Sequence, residues 1–198
     1  MKEPIFNHIT EYYDTLVTKH GHNPKACDCG GATPHELRFK ILSEVMPLKN
    51  KSVLDVGCGF GDLASYLGNK KQYTGIDISP KMIQEGKRIY PKLDLRLCNI
   101  LDAKIENYDV IIANGIFYLL GNNAPALMRK IVTRMYELAN HAVAFSNLSS
   151  WASHKDEGEF YADPCETVKF CRTLTPWVVM RHDYHPGDFI IYMYKDKK

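Results

Sequence analysis

The sequence has no long apolar run and no marked excess of charge of either sign. No stretch approaches the roughly 18 uninterrupted apolar residues that a membrane-spanning helix needs. The 25 Lys and Arg residues against 23 Asp and Glu residues give a formal net charge of +2, and the basic residues are scattered along the chain. We therefore expect a cytoplasmic protein whose partner is a small molecule, with no nucleic acid and no membrane.

Cysteine is present but lacks the spacing of a disulfide framework or of a structural zinc site. The six cysteines are unevenly spaced, which favours reduced thiols in a cytoplasm. Cys27 and Cys29, with His20 and His22 upstream, are candidate zinc ligands. Their one-residue gap differs from the two-residue gap of structural zinc sites, so an ordinary loop is the favoured alternative. We predict that the protein uses no metal.

The chain has the size of one domain. Its 198 residues, 45% of them hydrophobic and 24% charged, suffice for one well-buried core. Strand-like and helix-like segments alternate with short connections, which favours a parallel sheet with right-handed crossovers. Two β-rich runs, WVVMRHDY and FIIYMY, are separated only by residues 185–188 and predict an antiparallel hairpin.

The predicted fold is therefore α/β, a Rossmann-like, doubly wound sheet of seven strands that ends in this hairpin. We expect the single domain, residues 1–198, to consist of three parts. Residues 1–47 are a helical lid, residues 48–147 are the ligand-binding core, and residues 148–198 are a polar loop, a helix and the hairpin. The core elements are predicted at strand 52–56, helix 61–68, strand 72–76, helix 80–89, strands 93–98 and 108–113, helix 124–138 and strand 141–146.

The stretch VLDVGCGFGDLASYL reads as a buried strand that leads through glycines into a helix. Gly57, Gly59 and Gly61 follow Asp55 at alternating positions, where a Cβ would block both a tight turn and the approach of a ligand to the backbone. Asp62 takes the place of the last glycine in the GxGxxG fingerprint of dinucleotide-binding folds. An acidic rim suits a positively charged ligand better than a pyrophosphate.

An acidic residue also closes the next predicted strand. Asp77, in YTGIDIS, follows Gly57 by twenty positions, where a carboxylate can accept hydrogen bonds from both hydroxyls of a ribose. Together these motifs, over roughly residues 50–147, resemble the class I S-adenosylmethionine-dependent methyltransferases, and the hairpin is similar to the end of that family's fold. The resemblance implies an enzyme whose cofactor is S-adenosylmethionine.

The resemblance implies that ten residues bind the methyl donor: Asp55, Gly57, Cys58, Gly59, Asp77, Ile78, Asn99, Ile100, Asn114 and Arg38. Asp55 is expected at the methionine ammonium, and Asn114 is expected beside the sulfonium. Asn99 stands where the family usually has aspartate, but its amide oxygen can still accept a hydrogen bond from the adenine amino group. Arg38 is either a partner of the methionine carboxylate or a solvated surface residue.

Segments outside the core are expected to bind the methyl acceptor, because the family builds that pocket from such elements. The N-terminal helices and the loop 149–163 are rich in aromatic and basic side chains, and the C-terminal hairpin adds one arginine. Six residues are candidates for acceptor binding: Tyr12, Tyr13, His22, Trp151, Tyr161 and Arg181. Core packing is the alternative for Tyr12 and Tyr13, a place at the end of a helix is the alternative for His22, and a solvated hairpin face is the alternative for Arg181.

Three residues are candidates for a catalytic role: His154, Tyr118 and His182. His154 lies in the loop expected to close over the site, and it is the first candidate for a general base. Tyr118 belongs to IIANGIFYLL, which resembles the family's fourth motif beside the transferring methyl group. His182 lies on a predicted hairpin strand, where a solvated side chain is the alternative.

We expect methyl transfer to an oxygen of a small anionic molecule, a phosphorylated or phosphoramidate-bearing metabolite. The stretches EFYADP and LTPWVVMRHDY resemble a bacterial subgroup of surface-polysaccharide (capsule) and natural-product pathways. The segment after the fourth strand lacks the (D/N)PP(Y/F) motif of enzymes that methylate nucleobase amines. An RNA or protein methyltransferase and a non-catalytic S-adenosylmethionine-binding module are the alternatives. The sequence leaves the oligomeric state open between a monomer and a homodimer.

Overall fold

A computed structural model describes residues 4–28, 32–68, 72–102 and 104–196. Seven strands form one sheet, flanked by six α-helices within these ranges. The helices are α1 (Pro4–His20), α2 (Ala32–Ser43), α3 (Asp62–Leu67), α4 (Pro80–Ile89), α5 (Ala124–Leu138) and α6 (Pro164–Leu174). The strands are β1 (Val53–Val56), β2 (Tyr73–Asp77), β3 (Asp94–Leu97), β4 (Tyr108–Ala113), β5 (Ala139–Leu148), β6 (Val178–Arg181) and β7 (Asp188–Tyr194).

The strand order is β3-β2-β1-β4-β5-β7-β6. Strands β1 to β5 pair in parallel, and β7 pairs antiparallel with both β5 and β6. The predicted doubly wound sheet with a C-terminal hairpin is confirmed. The carboxyl ends of five parallel strands therefore meet at one edge, where such sheets bind ligands.

The central strands are buried on both faces, as expected for a sheet covered by helices on both sides. Alternate side chains of β1, β4 and β5 enter two separate apolar clusters, one on each face of the sheet. One cluster contains Leu54, Ile111 and Phe145, and the other contains Val53 and Val110. The rigid sheet thus fixes the strand ends from which the site is built.

The two N-terminal helices, α1 and α2, pack against different parts of the sheet. In α1, Asp14 accepts a hydrogen bond from the Ser79 hydroxyl (2.5 Å), and Thr10 donates to the Ile78 carbonyl (3.4 Å). In the segment that follows α2, the carbonyl of Val45 accepts a hydrogen bond from the Tyr194 hydroxyl (2.9 Å), at the end of β7 that pairs with the start of β5. These contacts hold α1 beside the carboxyl end of β2 and the segment after α2 against β7.

Two further findings concern membranes and metal ions. Within the described ranges, no helix combines the length and the apolar character that crossing a bilayer requires. The described residues also contain no group of three or more His, Cys, Asp or Glu side chains placed to hold a metal ion. Cys29, one of the candidate zinc ligands, lies outside the described residues.

Candidate active site

The glycine turn after β1 forms the floor of the site. The N–H groups of Gly57 and Cys58 both donate to the carbonyl of Ile76, at 2.8 and 3.1 Å. Gly57 and Gly59 have φ angles of 72° and 55°, in the left-handed region that side chains with a Cβ rarely occupy. The turn then enters α3 directly, so backbone N–H groups and a helix start converge at the end of β1.

Asp77 joins this turn to the end of β2. One carboxylate oxygen accepts the N–H of Gly59 (2.9 Å), and the other accepts the N–H of Ser79 (2.8 Å). Burial raises the pKa of Asp77, and these backbone hydrogen bonds oppose the increase. A carboxylate has about four lone-pair sites, so Asp77 can also accept hydrogen bonds from a ligand.

Asp55 lies buried within β1, next to the same turn. Its carboxylate accepts a hydrogen bond of 2.6 Å from the Tyr73 hydroxyl. Burial raises the pKa of Asp55 to about 7, with a smaller opposing effect from the Tyr73 hydrogen bond and a further increase from the nearby Asp77 charge. A cationic ligand group beside Asp55 would favour its ionised form.

One cleft of about 450 Å³ opens at this edge of the sheet, within the usual range for small-molecule sites. All ten residues predicted to bind the methyl donor line it: Asp55, Gly57, Cys58, Gly59, Asp77, Ile78, Asn99, Ile100, Asn114 and Arg38. They come from α2 and from the ends of β1, β2, β3 and β4. The cleft therefore brings together segments that are far apart in the sequence.

Arg38 is a cleft residue rather than a solvated one. Its side chain is 17% exposed, and its guanidinium donates to Asp188 at 2.8 Å. The alternative of a free surface arginine is therefore wrong. Asp188 begins β7, so this ion pair also ties α2 to the last strand.

Polar side chains at the ends of β4 and β5 form a short network. The Ser146 hydroxyl donates to the Asn114 side-chain oxygen and accepts the N–H of Gly115, both at 2.9 Å. Next to Ser146, Asn147 lines the cleft and is only 5% exposed. Its amide nitrogen has no hydrogen-bond acceptor within the described part of the chain. A buried donor of this kind is costly unless a ligand satisfies it.

A second group of polar side chains lies on the N-terminal side of the cleft. The Tyr13 and Tyr118 hydroxyls are 2.6 Å apart, and Tyr118 donates to the Asp28 carboxylate at 2.9 Å. These three residues line the cleft. Burial raises the pKa of both tyrosines, so both remain protonated phenols.

The loop between β5 and α6 adds three more lining residues: Asp156, Glu159 and Tyr161. The Tyr161 hydroxyl accepts the N–H of Asp156 (2.9 Å) and donates to Glu159 (2.7 Å). The N–H of Phe160 donates to the Tyr118 carbonyl at 2.8 Å. The loop is therefore attached to the segment that follows β4.

Two histidines and a tryptophan expected near the acceptor lie outside the cleft lining. The His154 side chain is 85% exposed and pairs with Asp156 at 3.2 Å. His182 hydrogen-bonds Ser149 at 2.8 Å and is stacked against Trp151, which is itself 53% exposed. The hairpin strand β6 ends at Arg181, so His182 follows the strand instead of lying on it.

Three other predicted acceptor residues are also engaged outside the lining. Arg181 donates to Glu44 and Asp183, both at 2.8 Å, on the outer edge of the sheet. His22 hydrogen-bonds Asp62 at 2.9 Å. Tyr12 donates to Asp28 at 2.7 Å and does not itself line the cleft. Of the nine acceptor and catalytic candidates, the structure brings three to the cleft: Tyr13, Tyr118 and Tyr161.

The charge of the lining is strongly acidic. Among the described lining residues there are seven carboxylates, against one guanidinium, that of Arg38. The carboxylates are Asp28, Asp55, Asp62, Asp77, Asp156, Glu159 and Asp188. Burial and the nearby Arg38 lower the pKa of His35, which keeps this lining histidine neutral. The cleft as a whole favours cationic or neutral ligands.

The sequence reasoning missed Asn147, Asp28 and Glu159. The predicted fifth strand ended at residue 146, one position before Asn147, whereas β5 runs to Leu148. Asp28 lies in the segment with Cys27 and Cys29, for which the spacing of the cysteines favours an ordinary loop over a zinc site and indicates no role for a carboxylate. Glu159 begins the stretch EFYADP, but that stretch indicates only a resemblance to a subgroup and assigns no role to this carboxylate.

The comparisons with known proteins agree with this geometry. Residues 47–185 match the model of the methyltransferase domain family. A protein of Mycobacterium tuberculosis (strain ATCC 25618 / H37Rv) named as a methyltransferase, Rv1506c, is 31% identical over 156 residues, which cover 73% of this chain and 93% of the relative. The chain spans about half the length of other curated relatives that it matches, 46% and 48% in two cases.

Solved structures share the fold at low identity. Magnesium protoporphyrin IX methyltransferase (ChlM) from Synechocystis PCC 6803, with bound S-adenosylmethionine, has a TM-score of 0.73 at 13% identity, over 97% of each chain. N-methyltransferase NodS from Bradyrhizobium japonicum WM9, with S-adenosylhomocysteine, has a TM-score of 0.65 at 16% identity, over 98% of this chain and 100% of that one. The chain therefore belongs to the methyltransferase domain family and is a class I enzyme that uses S-adenosylmethionine as its methyl donor.

Proposed function

We propose that this methyltransferase methylates a hydroxyl oxygen of a small neutral or cationic molecule. The observation that carries the proposal is one cleft, lined both by the strand-end residues expected to bind the donor and by phenols hydrogen-bonded to carboxylates, which can accept a proton. When bound, S-adenosylmethionine supplies an electrophilic methyl group. The protein must align the acceptor, exclude water and remove the acceptor's proton.

We assign donor binding to the strand ends. Asp77 would accept hydrogen bonds from the ribose hydroxyls through the lone pairs that Gly59 and Ser79 leave open. Asp55 would face the methionine ammonium, whose charge would favour its ionised form. The backbone from Gly57 to Gly59, which includes Cys58, would lie against the methionine and ribose.

The adenine and the methionine carboxylate would be held by the remaining donor residues. Ile78 would cover one adenine face, and the N–H of Ile100 would donate to the ring. The Asn99 side-chain oxygen already accepts the N–H of Leu101 at 3.0 Å, and its second lone pair would accept from the adenine amino group. Arg38 would donate to the methionine carboxylate while paired with Asp188.

Two features support the fit of these residues to a polar ligand. The buried Asn147 amide nitrogen, which lacks an acceptor among the described residues, would be satisfied by a ligand oxygen. A Cβ at Gly115, which also lines the cleft, would meet no described atom within 4 Å, so space is open beside Asn114. We infer that Asn114 lies beside the sulfonium and that Asn147 faces an oxygen of the donor or the acceptor.

The charge of the cleft argues against the anionic acceptor that the sequence suggested. Asp28, Asp156 and Glu159 line the cleft from segments outside the ends of the parallel strands, and we place the acceptor beside them. These three carboxylates would repel a phosphorylated or phosphoramidate-bearing acceptor, and Arg38 is assigned to Asp188 and to the methionine carboxylate of the donor. The alternative of RNA or protein as the substrate gains no support from the formal net charge of only +2.

The division of the domain into three segments follows from these assignments of donor and acceptor residues. We propose that the segment 1–47 and the segment 148–198 complete the acceptor side around a donor-binding core, residues 48–147. Tyr13 comes from the first segment and Tyr161 from the last, and both line the cleft. The absence of methyl transfer despite donor binding would favour a non-catalytic S-adenosylmethionine-binding module.

The experiment is a methyl-transfer assay with three probes, analysed by mass spectrometry. The probes are catechol (neutral), choline (a cationic alcohol) and glycerol 3-phosphate (an anionic alcohol). We expect O-methylated product from a neutral or cationic probe and none from the anionic one, with Asp77→Ala as the inactive control. Methylation of the anionic probe alone would contradict the charge argument, and no product from any probe would contradict the hydroxyl acceptor.

A further inference from the structure

The Tyr13, Tyr118 and Asp28 side chains form a continuous hydrogen-bonded chain from the cleft to the protein surface. The Tyr13 and Tyr118 hydroxyls are 2.6 Å apart, and Tyr118 donates to Asp28 Oδ2 at 2.9 Å. Since Tyr118 gives its proton to Asp28, the Tyr13 hydroxyl donates to Tyr118 and leaves its own lone pairs for a further donor. A hydrogen-bond donor would approach these lone pairs from the cleft, which Tyr13 lines.

The two ends of this chain differ in their surroundings. Tyr13 is packed against the main apolar cluster and lies close enough to Asp77 for that carboxylate to raise its pKa. Asp28 is exposed at the other end. A proton that enters at Tyr13 can therefore leave to water at Asp28.

Asp28 is fixed by its local backbone and by a second phenol. It ends a short 3₁₀ helix (Pro24–Cys27) with φ 51° and ψ 35°, and its N–H donates to the carbonyl of Lys25 at 3.3 Å. Tyr12 donates to the same carboxylate oxygen at 2.7 Å. The carboxylate is thus held at the phenol of Tyr118 instead of rotating freely in solvent.

We propose that Tyr13 and Tyr118 relay the acceptor's hydroxyl proton to Asp28, which acts as the terminal base; this inference rests on the proposed hydroxyl acceptor. One proton passes from the acceptor oxygen to Tyr13, the Tyr13 proton passes to Tyr118, and the Tyr118 proton passes to Asp28. Both phenols are restored, the acceptor oxygen keeps the electron pair with which it attacks the methyl carbon, and Asp28 releases its proton to water.

A concerted relay fits these phenols better than a tyrosinate base does. Burial and the nearby carboxylates Asp28 and Asp77 raise the pKa of Tyr13, and burial together with Tyr13 and Asp28 raises that of Tyr118. Glu159 adds to the negative field around Asp28, since its charge raises the pKa of Tyr12. A phenolate is therefore disfavoured, and the relay needs none.

The kinetic test compares Tyr118→Phe and Asp28→Asn with the wild type on two phenols. Catechol must lose a proton, whereas 4-nitrophenol is largely ionised at mildly alkaline pH. We expect kcat for catechol to fall about 100-fold or more, with a far smaller loss for 4-nitrophenol and an unchanged donor affinity. Tyr108→Phe is the matched control, because its hydroxyl donates to Glu106 at 2.8 Å at the opposite end of β4. Equal losses on both phenols, or none, would overturn the relay.

A spectroscopic test can overturn the relay even if neither phenol is methylated, an outcome that would count against the proposed function alone. In protein labelled with ¹³C at tyrosine Cζ, we expect Asp28→Asn to shift the Tyr118 and Tyr13 resonances together, and Tyr118→Phe to shift Tyr13. The resonance of Tyr108 should not move. A Tyr13 resonance that responds to neither substitution would show that the chain is not coupled and would overturn the relay.

Discussion

The donor side and the acceptor side of the cleft were predictable to very different degrees. All ten residues predicted for the donor line the cleft, whereas only three of the nine acceptor and catalytic candidates do. The donor residues lie mostly at the ends of parallel strands, which the sheet must bring to one edge. The acceptor residues lie on helices and a loop, whose positions depend on packing that no short motif encodes.

The buried charge on the donor side gives the largest expected effect. Burial raises the pKa of Asp55 from 3.8 to about 7. Between pH 3.8 and about pH 7, Asp55 holds a proton in the folded protein that it has released in the unfolded chain. The free energy of unfolding therefore falls as the pH rises, by about 4 kcal/mol in total. Asp55→Asn removes this group. In urea unfolding, the wild type should lose stability relative to the variant as the pH rises from about 4 to 7. Parallel plots of unfolding free energy against pH for the two proteins would refute the raised pKa of Asp55.

The next effect concerns donor affinity. Asp77→Ala removes the carboxylate that holds Gly59 and Ser79 and that we assign to the ribose. Hydrogen bonds to charged groups suggest a loss of about 3 kcal/mol, roughly 150-fold in Kd for S-adenosylhomocysteine. Asp183→Ala, at an exposed carboxylate beside Arg181, is the control and should bind normally. Calorimetry that found equal affinities for both variants would remove Asp77 from the donor site.

A pair of glycines tests the geometry of the turn. Gly57 and Gly68 have φ angles of 72° and 66°, so alanine is strained at both. A Cβ at Gly57 would lie 2.3 Å from Ile116 Cγ2, whereas one at Gly68 would meet no described atom within 4 Å. We expect Gly57→Ala to be less stable than Gly68→Ala by about 1–3 kcal/mol and to bind the donor more weakly. Equal melting temperatures would mean that Ile116 moves aside freely.

The smallest effect belongs to the acceptor side. The His154 side chain is 85% exposed and outside the cleft lining, so His154→Ala should leave kcat within about twofold of the wild type. This reverses the role that the sequence suggested for His154 as general base. A large loss of kcat with unchanged donor affinity would show that the loop carries His154 into the cleft during turnover. The difference in how well the sequence predicted the donor residues and the acceptor residues would then be smaller.

The sequence was sufficient where regular structure determines position. The alternation of strand-like and helix-like segments predicted the seven-stranded sheet and its C-terminal hairpin, and the glycines with Asp77 predicted residues that line the cleft. It was insufficient for Asn147, because an error of two residues in the end of β5 concealed a cleft residue. It was also insufficient for Asp28 and Glu159, whose roles arise from contacts with tyrosines distant in sequence. The anionic acceptor was inferred from aromatic and basic residues, most of which the structure places outside the lining.

The central claim is that the strand-end cleft binds S-adenosylmethionine, and calorimetric titration of the wild-type protein tests it most directly. The protein would be titrated with S-adenosylmethionine, with S-adenosylhomocysteine and, as a negative control, with NADH. We predict one site with a Kd in the micromolar range, about −8 kcal/mol, for the first two ligands and no heat of binding for NADH. Binding of NADH, or of none of the three, would contradict the account.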